Sequence, residues 1–262
     1  MGALQGRIAL VTGGGRGIGR GISEALAREG TTVAINYRRD KDAAEDTMRA
    51  ILDAGGTATI HQASTDVPAE SEAMVSEILA VHGGIDIAVV NGGVASRGLP
   101  VAETTAEELW QLVATHALGP HQLCRALLPS MRTRGRGDIV FISSVATRGM
   151  AANGAPYNMG KAAMEALAFT LAKEEQRHGI RVNVVAPGLV ETDMGVRLAR
   201  AIQGKKKEEM PDLRSMDDSS PFGRVCQPED IAQAVLWFCS AGSSYVTGQR
   251  LEVDGGAGGA RR

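Results

Sequence analysis

Tyr157 and Lys161 lie four residues apart, and Ser144 precedes the tyrosine by thirteen residues. In a helix, residues four apart share a face, so the phenol and the ammonium can meet. A free tyrosine has a pKa of about 10, and a neighbouring ammonium stabilises the phenolate and lowers that pKa. With a serine hydroxyl directed at the same point, these groups could protonate a carbonyl oxygen, or deprotonate an alcohol, while a hydride moves. The pair alone decides little, because Tyr-x-x-x-Lys also occurs on helix surfaces.

A second segment, near the amino end, could hold a phosphate. A short apolar run from Arg7 to Val11 predicts a buried strand, and apolar residues at helical spacing follow from Ile22. Between them lies Thr12-Gly13-Gly14-Gly15-Arg16-Gly17-Ile18-Gly19, with the spacing T-G-x-x-x-G-x-G rather than G-x-G-x-x-G. Glycines in such a turn let the backbone approach a pyrophosphate at the positive N-terminus of a helix. The alternative is a glycine-rich turn that binds no ligand.

Composition limits the class of protein. The chain has 262 residues, 44% of them hydrophobic, and a net charge of −2, which suits one α/β domain and gives no basic face for a nucleic acid. Aromatic residues make up only 3% of the chain, too few for stacking on bases. Cys124, Cys226 and Cys239 form no C-x-x-C pair, which favours a reducing, cytoplasmic location without disulfides or zinc. We expect no signal peptide, and no apolar run approaches the ~20 residues that span a bilayer.

Hydrophobic periodicity predicts alternating strands and helices. Strands are expected near residues 8–11, 32–36, 57–62, 85–90, 138–143, 181–186 and 250–253. Helices are expected near residues 17–28, 42–54, 70–82, 105–133, 156–178 and 228–239. This alternation predicts a single Rossmann-type α/β domain over residues 1–256, in which a doubly wound parallel sheet of about seven strands carries helices on both faces.

Two stretches interrupt this alternation. Residues 191–222 are long and polar, and they contain Lys205-Lys206-Lys207-Glu208-Glu209, which is more typical of a solvated helix face than of a docking surface. The tail at 257–262 has nothing to bury, and we expect it to be flexible.

These motifs, in this order, resemble the short-chain dehydrogenase/reductase family. Val90-Asn91-Gly92-Gly93 matches the family's Asn-Ala-Gly segment, and the run from Arg181 to Gly188 matches its Val-Asn-x-x-x-Pro-Gly strand, which Thr192 follows. Its carboxyl-terminal motifs correspond to Tyr245 to Gln249 and to Val253 to Gly256, so the resemblance extends over residues 6–256. The nucleophile elbow G-x-S-x-G of serine hydrolases is absent from the sequence.

The resemblance implies roles for individual residues. Tyr157 would donate or accept the proton, Ser144 would hold the substrate oxygen with Ser143 supporting it, and Lys161 would bond the nicotinamide ribose and lower the tyrosine pKa. The residues expected to bind the cofactor are Thr12, Gly13, Gly15, Arg16, Gly17, Ile18, Gly19, Asn36, Tyr37, Arg38, Asp66, Val67, Asn91, Gly92, Gly93, Tyr157, Lys161, Pro187, Gly188 and Thr192. An alternative for the Asp66-Val67 pair is a helix N-cap before Pro68. In the family, residues 191–222 would form a mobile substrate lid, and no metal is required.

The end of the second strand bears on the choice of cofactor. An acidic residue there would bond the ribose 2′-hydroxyl of NAD, but this chain has Asn36 and Tyr37, followed by Arg38. Arg16 can approach the same pocket, and two guanidinium groups suit a 2′-phosphate. Asp40 and Asp42 would favour NAD, but they lie beyond the end of the second strand. We therefore predict NADP(H).

One position departs from the family's pattern. The long fourth helix of the family usually carries an Asn that helps to hold a proton-relaying water, partly through its backbone carbonyl; here the position is His116. A histidine with an ordinary pKa near 6.5 could shuttle protons itself. The alternative is an imidazole that only packs against the sheet. The sequence leaves both interpretations open.

The substrate is less well determined. Asn36-Tyr37-Arg38 and Glu191-Thr192-Asp193-Met194 look like the subgroup of 3-oxoacyl-[acyl-carrier-protein] reductases. We therefore expect a homotetramer or homodimer that reduces a ketone such as a 3-oxoacyl thioester. An acyl carrier protein could dock on a basic face formed by Arg132, Arg134, Arg136 and Arg177. The alternative is that these arginines are ordinary surface charges. The alternatives are an alcohol, sugar or steroid dehydrogenase of the same family, or a non-catalytic dinucleotide-binding sensor, which usually lacks the tyrosine or the lysine.

Overall fold

The computed structural model describes residues 2–202 and 212–257. At its centre is a seven-stranded parallel sheet with the order β3-β2-β1-β4-β5-β6-β7. The strands are β1 Ile8–Val11, β2 Thr32–Tyr37, β3 Thr57–Gln62, β4 Ile87–Val90, β5 Gly137–Ile142, β6 Ile180–Pro187 and β7 Arg250–Val253. The strand order reverses between β1 and β4, and a crevice opens at the carboxyl ends of strands at such a point. This sheet confirms the predicted Rossmann-type α/β fold.

Helices cover both faces of the sheet. They are α1 Gly17–Arg28, α2 Lys41–Asp53, α3 Pro68–His82, α4 Ala106–Val113, α5 Gly119–Met131, α6 Ala146–Gly149, α7 Ala155–Glu175, α8 Asp193–Ile202 and α9 Pro228–Cys239. Successive strand residues face opposite sides, so Val11 packs with Ile22 and Phe238 on one face, whereas Leu10 packs with Leu127 on the other. Both faces of each central strand are therefore buried, as the continuous apolar runs predict.

The prediction of one helix over residues 105–133 is wrong in one respect. A π-helical turn, Ala114–Leu118, separates α4 from α5 and places His116 at its centre. Pro120 explains the break, because it has no N–H to donate to the carbonyl of His116, its partner in α-helical register. Such turns are frequent at functional sites.

The described residues include only part of the predicted lid and tail. On the carboxyl side of β6 they include α8 and two 3₁₀ turns, Leu213–Ser219 and Pro221–Gly223. The run Lys205-Lys206-Lys207 and residues 258–262 lie outside the described residues. Within the described ranges, no helix is long and apolar enough to cross a membrane.

A buried ion-pair cluster joins the amino ends of the strands to α9. The carboxylate of Asp138, at the start of β5, accepts hydrogen bonds from Arg7 Nη1 at 2.6 Å and Arg181 Nε at 2.8 Å. The same guanidinium groups donate to main-chain carbonyls at the end of α9, Arg7 to Cys239 at 3.1 Å and Arg181 to Phe238 at 2.8 Å. One buried carboxylate thus fixes three strands and a helix at the edge of the sheet opposite the crevice.

Replacing Asp138 should strongly destabilise the fold. Asp138→Asn leaves the guanidinium groups of Arg7 and Arg181 with no carboxylate, and breaking a buried pair in this way costs about 3–5 kcal/mol. Glu24→Gln is the matched control, because Glu24 pairs with Arg20 on an exposed helix face and should cost at most about 0.5 kcal/mol. Urea denaturation measures both losses. Equal stability of the two variants would contradict the role assigned to the cluster.

Candidate active site

Two loops at the carboxyl ends of β1 and β4 hold each other in place. The hydroxyl oxygen of Thr12 accepts hydrogen bonds from the backbone N–H groups of Asn91 and Gly92, each at 2.9 Å. In return, Asn91 Nδ2 donates to the carbonyls of Thr12 at 2.9 Å and Gly13 at 3.2 Å. The sequence predicted these residues as cofactor contacts, and the structure adds that their polar groups fix the shape of the glycine loop.

The backbone of the glycine loop leads into the start of α1. Gly17 has a φ of 52°, which a residue with a side chain rarely adopts. A Cβ on Gly19 would lie 2.0 Å from the carbonyl oxygen of Gly13, so only glycine fits there. No side chain caps α1, because its N-cap residue is Arg16, whose guanidinium has no hydrogen-bond acceptor. Uncapped N–H groups beside a loop without side chains suit a pyrophosphate, so this part of the site fits a dinucleotide.

The other residues predicted around this loop take different positions. Thr192 lies against it, since a Cβ on Gly17 would be 3.2 Å from Thr192 Cγ2. Gly15 faces α2 instead, where a Cβ would come within 2.8 Å of Ala44 Cα. The side chain of Ile18 packs against the core beneath the loop. The loop therefore has one face toward the open crevice and one face toward packed helices.

Asn36 and Tyr37, predicted as cofactor contacts, are both buried. The side chain of Asn36 is 3% exposed, and its Oδ1 accepts from Gly13 N at 3.3 Å while its Nδ2 donates to Ala63 O at 3.0 Å. Tyr37 is buried in the core cluster. Asn36 thus joins the glycine loop to the end of β3, and the first side chain with substantial solvent access after β2 is that of Arg38.

Arg16 and the Asp66-Val67 pair lie at the same end of the sheet. The guanidinium of Arg16 is exposed, with Nη1 3.8 Å from Asp40 Oδ2, just beyond β2. After β3, Asp66 Oδ1 accepts from Ser64 Oγ at 2.5 Å, and α3 begins at Pro68 with Val67 at the N-cap. No side-chain hydrogen bond caps α3, so the capping alternative for Asp66 is not realised.

Ser144, Tyr157 and Lys161 come together where β5 ends. Lys161 is buried and donates from Nζ to the carbonyl of Ile142, the last residue of β5, at 2.7 Å. The same Nζ lies 5.8 Å from the centre of the Tyr157 ring. The phenol of Tyr157 also has a hydrogen bond with the side chain of Ser144. The peptide units of Pro187 and Gly188 lie alongside, since Val145 N donates to the carbonyl of Pro187 at 3.0 Å.

Burial dominates the protonation equilibria of this trio. It raises the pKa of Tyr157, and the hydrogen bond from Ser144 only partly offsets that shift. Burial also lowers the pKa of Lys161 to about 7, against the opposing effect of Glu165. The lowered tyrosine pKa predicted from the sequence is therefore not found, because desolvation of the phenolate outweighs the hydrogen bond from Ser144. In this state the phenol is a proton donor at neutral pH.

His116 packs edge-on against the tyrosine. The two ring centres of His116 and Tyr157 are 5.2 Å apart at 80°, and His116 Nε2 lies 2.8 Å from the carbonyl oxygen of Val94. Its Nδ1 has no hydrogen-bond partner within the part of the chain that the structure describes. Burial, with a smaller effect of Lys161, lowers the pKa of His116 to about 3. A neutral imidazole that donates to Val94 agrees with the packing interpretation, whereas the relay interpretation needs a pKa near 6.5.

Two glycines lie so close to His116 that neither position has room for a side chain. A Cβ on Gly93 would lie 2.7 Å from His116 Cε1, and one on Gly160 would lie 2.9 Å from His116 Cβ. Gly93, predicted as a cofactor contact, therefore makes room for the imidazole.

Two charged residues of this site were missed by sequence reasoning. Glu165 accepts hydrogen bonds from Ser143 and Thr147, and Arg250 donates to the carbonyl of Ser144 at 3.2 Å. Helical spacing could have revealed Glu165, which is four residues beyond Lys161 on the same face of α7. Nothing in the sequence pattern points to Arg250, because its contact spans 106 residues.

The basic face considered for an acyl carrier protein is largely neutralised. Arg132 pairs with Glu175 at 2.5 Å, and Arg134 pairs with Asp86 at 2.7 Å. Arg136 donates to the carbonyl of Cys239 at 2.7 Å. These arginines therefore hold structural partners, which agrees with the alternative of ordinary surface charges.

Known proteins resemble this chain over almost its whole length. Residues 13–258 match the family described as Enoyl-(Acyl carrier protein) reductase. The chain is 35% identical to the Uncharacterized oxidoreductase YgfF of Escherichia coli (strain K12), over 95% of this chain and 99% of that protein. It is 33% identical to Dehydrogenase/reductase SDR family member 4 of Homo sapiens, over 97% of this chain and 88% of that protein.

The fold has a counterpart of known structure. A variant of actinorhodin polyketide ketoreductase, solved with NADPH, superposes with a TM-score of 0.90 at 30% identity, over 99% of this chain and 100% of that chain. The sheet order, the uncapped glycine loop and these matches lead to one assignment: the chain belongs to the short-chain dehydrogenase/reductase family of oxidoreductases, which bind a nicotinamide cofactor.

Proposed function

We propose that this oxidoreductase uses NADP(H) to interconvert a carbonyl compound and a secondary alcohol, and that it reduces a ketone such as a 3-oxoacyl thioester. The observation that carries the proposal is the convergence of Ser144, Tyr157 and Lys161 beside an uncapped helix N-terminus. The likeness to a polyketide ketoreductase supports a ketone substrate. A panel of ketones that includes a 3-oxoacyl thioester tests it through NADPH oxidation. A dinucleotide-binding sensor would bind NADPH and oxidise it with no member of the panel.

The chemistry divides among the three side chains. Bound nicotinamide would supply the hydride. Ser144 would donate a hydrogen bond to the carbonyl oxygen, and the phenol of Tyr157, protonated at neutral pH because its pKa is raised, would give its proton to the same oxygen. Lys161 would hold its ammonium beside the phenolate that remains, which lowers the cost of that charge. Since the pKa of Lys161 is about 7, this help is strongest at and below neutral pH.

Selection of NADP(H) rests on two guanidinium groups. Arg38 has solvent access at the end of β2, and Arg16 lies exposed beside the same loop. We expect NADP(H) to bind more tightly than NAD(H) by roughly 2–4 kcal/mol, from one or two charge-assisted contacts to the 2′-phosphate. Calorimetric titration of both nucleotides measures the difference. Arg38→Ala should reduce it and the exposed neighbour Arg39→Ala should not, while equal affinities in the unaltered protein would refute the selection.

Removing the phenol should remove the chemistry and little else. Tyr157→Phe keeps the ring that packs on His116 but deletes the proposed proton donor. Turnover should fall by about 10²–10⁴-fold, the contribution of general acid catalysis, with NADPH affinity nearly unchanged. Tyr245→Phe is the control, because that side chain is fully exposed and should retain activity. Turnover near that of the control would show that the proton comes from another group.

His116 should make no contribution to the pH–rate profile. Its imidazole stays neutral above about pH 3, so no limb near pH 6–7 should arise from it. His116→Asn restores the family's usual residue, and its profile between pH 5 and 9 should have the same shape, with any change appearing in thermal stability. Kinetics of both proteins over that range decide the question. Loss of a limb near pH 6.5 in the variant would favour the proton relay instead.

We also propose a cytoplasmic homo-oligomer, a tetramer or a dimer. Apolar side chains are exposed on α4 and α7, including Trp110 at 67% and Met159 at 53%. Small residues beside them on α7, Ala163 and Ala166, would allow close approach of a second copy. The cysteines are free, which is compatible with a reducing compartment.

Light scattering at micromolar concentration should give a multiple of the 27.4 kDa chain mass. Trp110→Glu should shift the mass toward that of one chain, because a charge would then enter the apolar interface. A single-chain mass for the unaltered protein would contradict the assembly.

A further inference from the structure

Glu165 gathers three hydrogen-bond donors on one oxygen. Its side chain is 13% exposed, and Oε1 accepts from Ser143 Oγ at 2.5 Å, Thr147 Oγ1 at 2.8 Å and Arg250 Nε at 3.1 Å. Ser143 and Thr147 lie on either side of Ser144 in the chain. The carboxylate therefore holds the segment that carries the serine hydroxyl through the residues on either side of Ser144.

Arg250 connects this carboxylate to the backbone of Ser144. Its Nη2 donates to the carbonyl of Ser144 at 3.2 Å and to Thr147 Oγ1 at 3.0 Å. Its Nη1 pairs with Glu252 on the same strand. The single proton of the Thr147 hydroxyl can go to Glu165 or to the carbonyl of Ser144, which is 2.9 Å away. The segment after β5 is thus fixed from α7 by a carboxylate and from β7 by a guanidinium.

We propose that Glu165 is a positioning residue of the reaction, whose carboxylate, held by Arg250, orients the Ser144 segment and keeps a negative charge one helical turn from Lys161. The inference rests on the proposed function, because it concerns the groups that act on the substrate oxygen. Glu165 acts through Ser144 and Lys161 and touches no reacting atom. A carboxylate on this face is expensive to bury, so three donors on one oxygen indicate a charge that the fold retains at this place.

The charges around Lys161 make the effect of Glu165 measurable. Tyr157 and Glu165 face it from α7, a neutral His116 from the π-helical turn, and the carbonyl of Ile142 from β5. The cation of Arg250 pairs with the carboxylate of Glu165, with Nε 3.1 Å from Oε1. Burial disfavours the ammonium, and Glu165 is the group that opposes this shift. Removing that negative charge should therefore lower the pKa of Lys161 further.

The first experiment titrates Lys161 in the protein without nucleotide. With ¹³C-labelled lysine, the Cε resonance that disappears in Lys161→Arg should titrate near pH 7 in the unaltered protein. In Glu165→Gln, which keeps the size but not the charge, it should titrate about one unit lower. Glu165→Asp should restore most of the difference. Glu174→Gln removes an exposed carboxylate from the same helix and should leave the titration unchanged. An unshifted Lys161 in folded Glu165→Gln would overturn the proposal.

The second experiment separates orientation from charge. Thr147→Val removes one hydroxyl from the network without changing any charge, so kcat should fall by about tenfold, the equivalent of one hydrogen bond, with little change in KM and no shift of Lys161. Glu165→Gln should lower kcat and also move the limb of the pH–rate profile that follows Lys161. A full kcat in both variants would overturn the positioning role, even if Lys161 shifts. Should Glu165→Gln not fold, Glu165→Asp and Thr147→Val carry the same comparison.

The two experiments also distinguish this inference from the proposed function. The Lys161 titration needs neither cofactor nor substrate, so a shift in Glu165→Gln supports the link between the two residues whatever the enzyme reduces. If that shift appears and no ketone is reduced by the unaltered protein, the result counts against the proposed function alone.

Discussion

The hydrogen bond from Lys161 to the carbonyl of Ile142 is the contact on which the site depends. It ties the middle of α7 to the end of β5, so the helix that carries Tyr157 and the loop that carries Ser144 have one fixed separation. It also places an amine where water cannot solvate it, and this lowers its pKa to about 7. Two neighbours are related to that cost. Glu165 supplies a compensating charge, and His116 is kept neutral by its burial, with a smaller contribution from repulsion by Lys161.

The amino ends and the carboxyl ends of the strands have different roles: the first stabilise the fold, and the second form the candidate active site. Parallel strands place all their amino ends at one edge, where Asp138 gathers Arg7 and Arg181 and joins them to the end of α9. All the carboxyl ends lie at the other edge, where hydrogen bonds between the loops after β1 and β4 shape the glycine loop and leave its backbone open to a ligand. The groups that hold the glycine loop to the loop after β4 are neutral, and the carboxylate of Asp40 lies near Arg16 beside it.

What the sequence could predict was set by local patterns. The bounds of β1, β3, β7, α1 and α9 agree with those expected from periodicity and glycine positions, because each depends on contiguous residues. The parallel sheet of about seven strands and the meeting of Ser144 with Tyr157 and Lys161 were also expected from the sequence, whereas the strand order was not predicted. The inward direction of the Asn36 side chain could not be predicted, because a polar residue at a strand end can face a ligand or turn inward, and hydrogen bonds with Gly13, His61 and Ala63 decide that here. The contact of Arg250 with the Ser144 segment depends on β7 pairing beside β6, which no local pattern contains.

At residue 116, where the family usually has Asn, the conformation of the backbone and the packing of the side chain have different causes. Pro120 has no N–H, so the carbonyl of His116 lacks its α-helical donor whatever side chain residue 116 carries. The π-helical turn that results turns the imidazole onto the ring of Tyr157 and its Nε2 onto Val94. A backbone carbonyl that helps to hold a water is therefore compatible with a histidine side chain, because the proline, and not the residue at 116, frees that carbonyl. In this chain the side chain of residue 116 packs against Tyr157, while Pro120 accounts for the break in the helix.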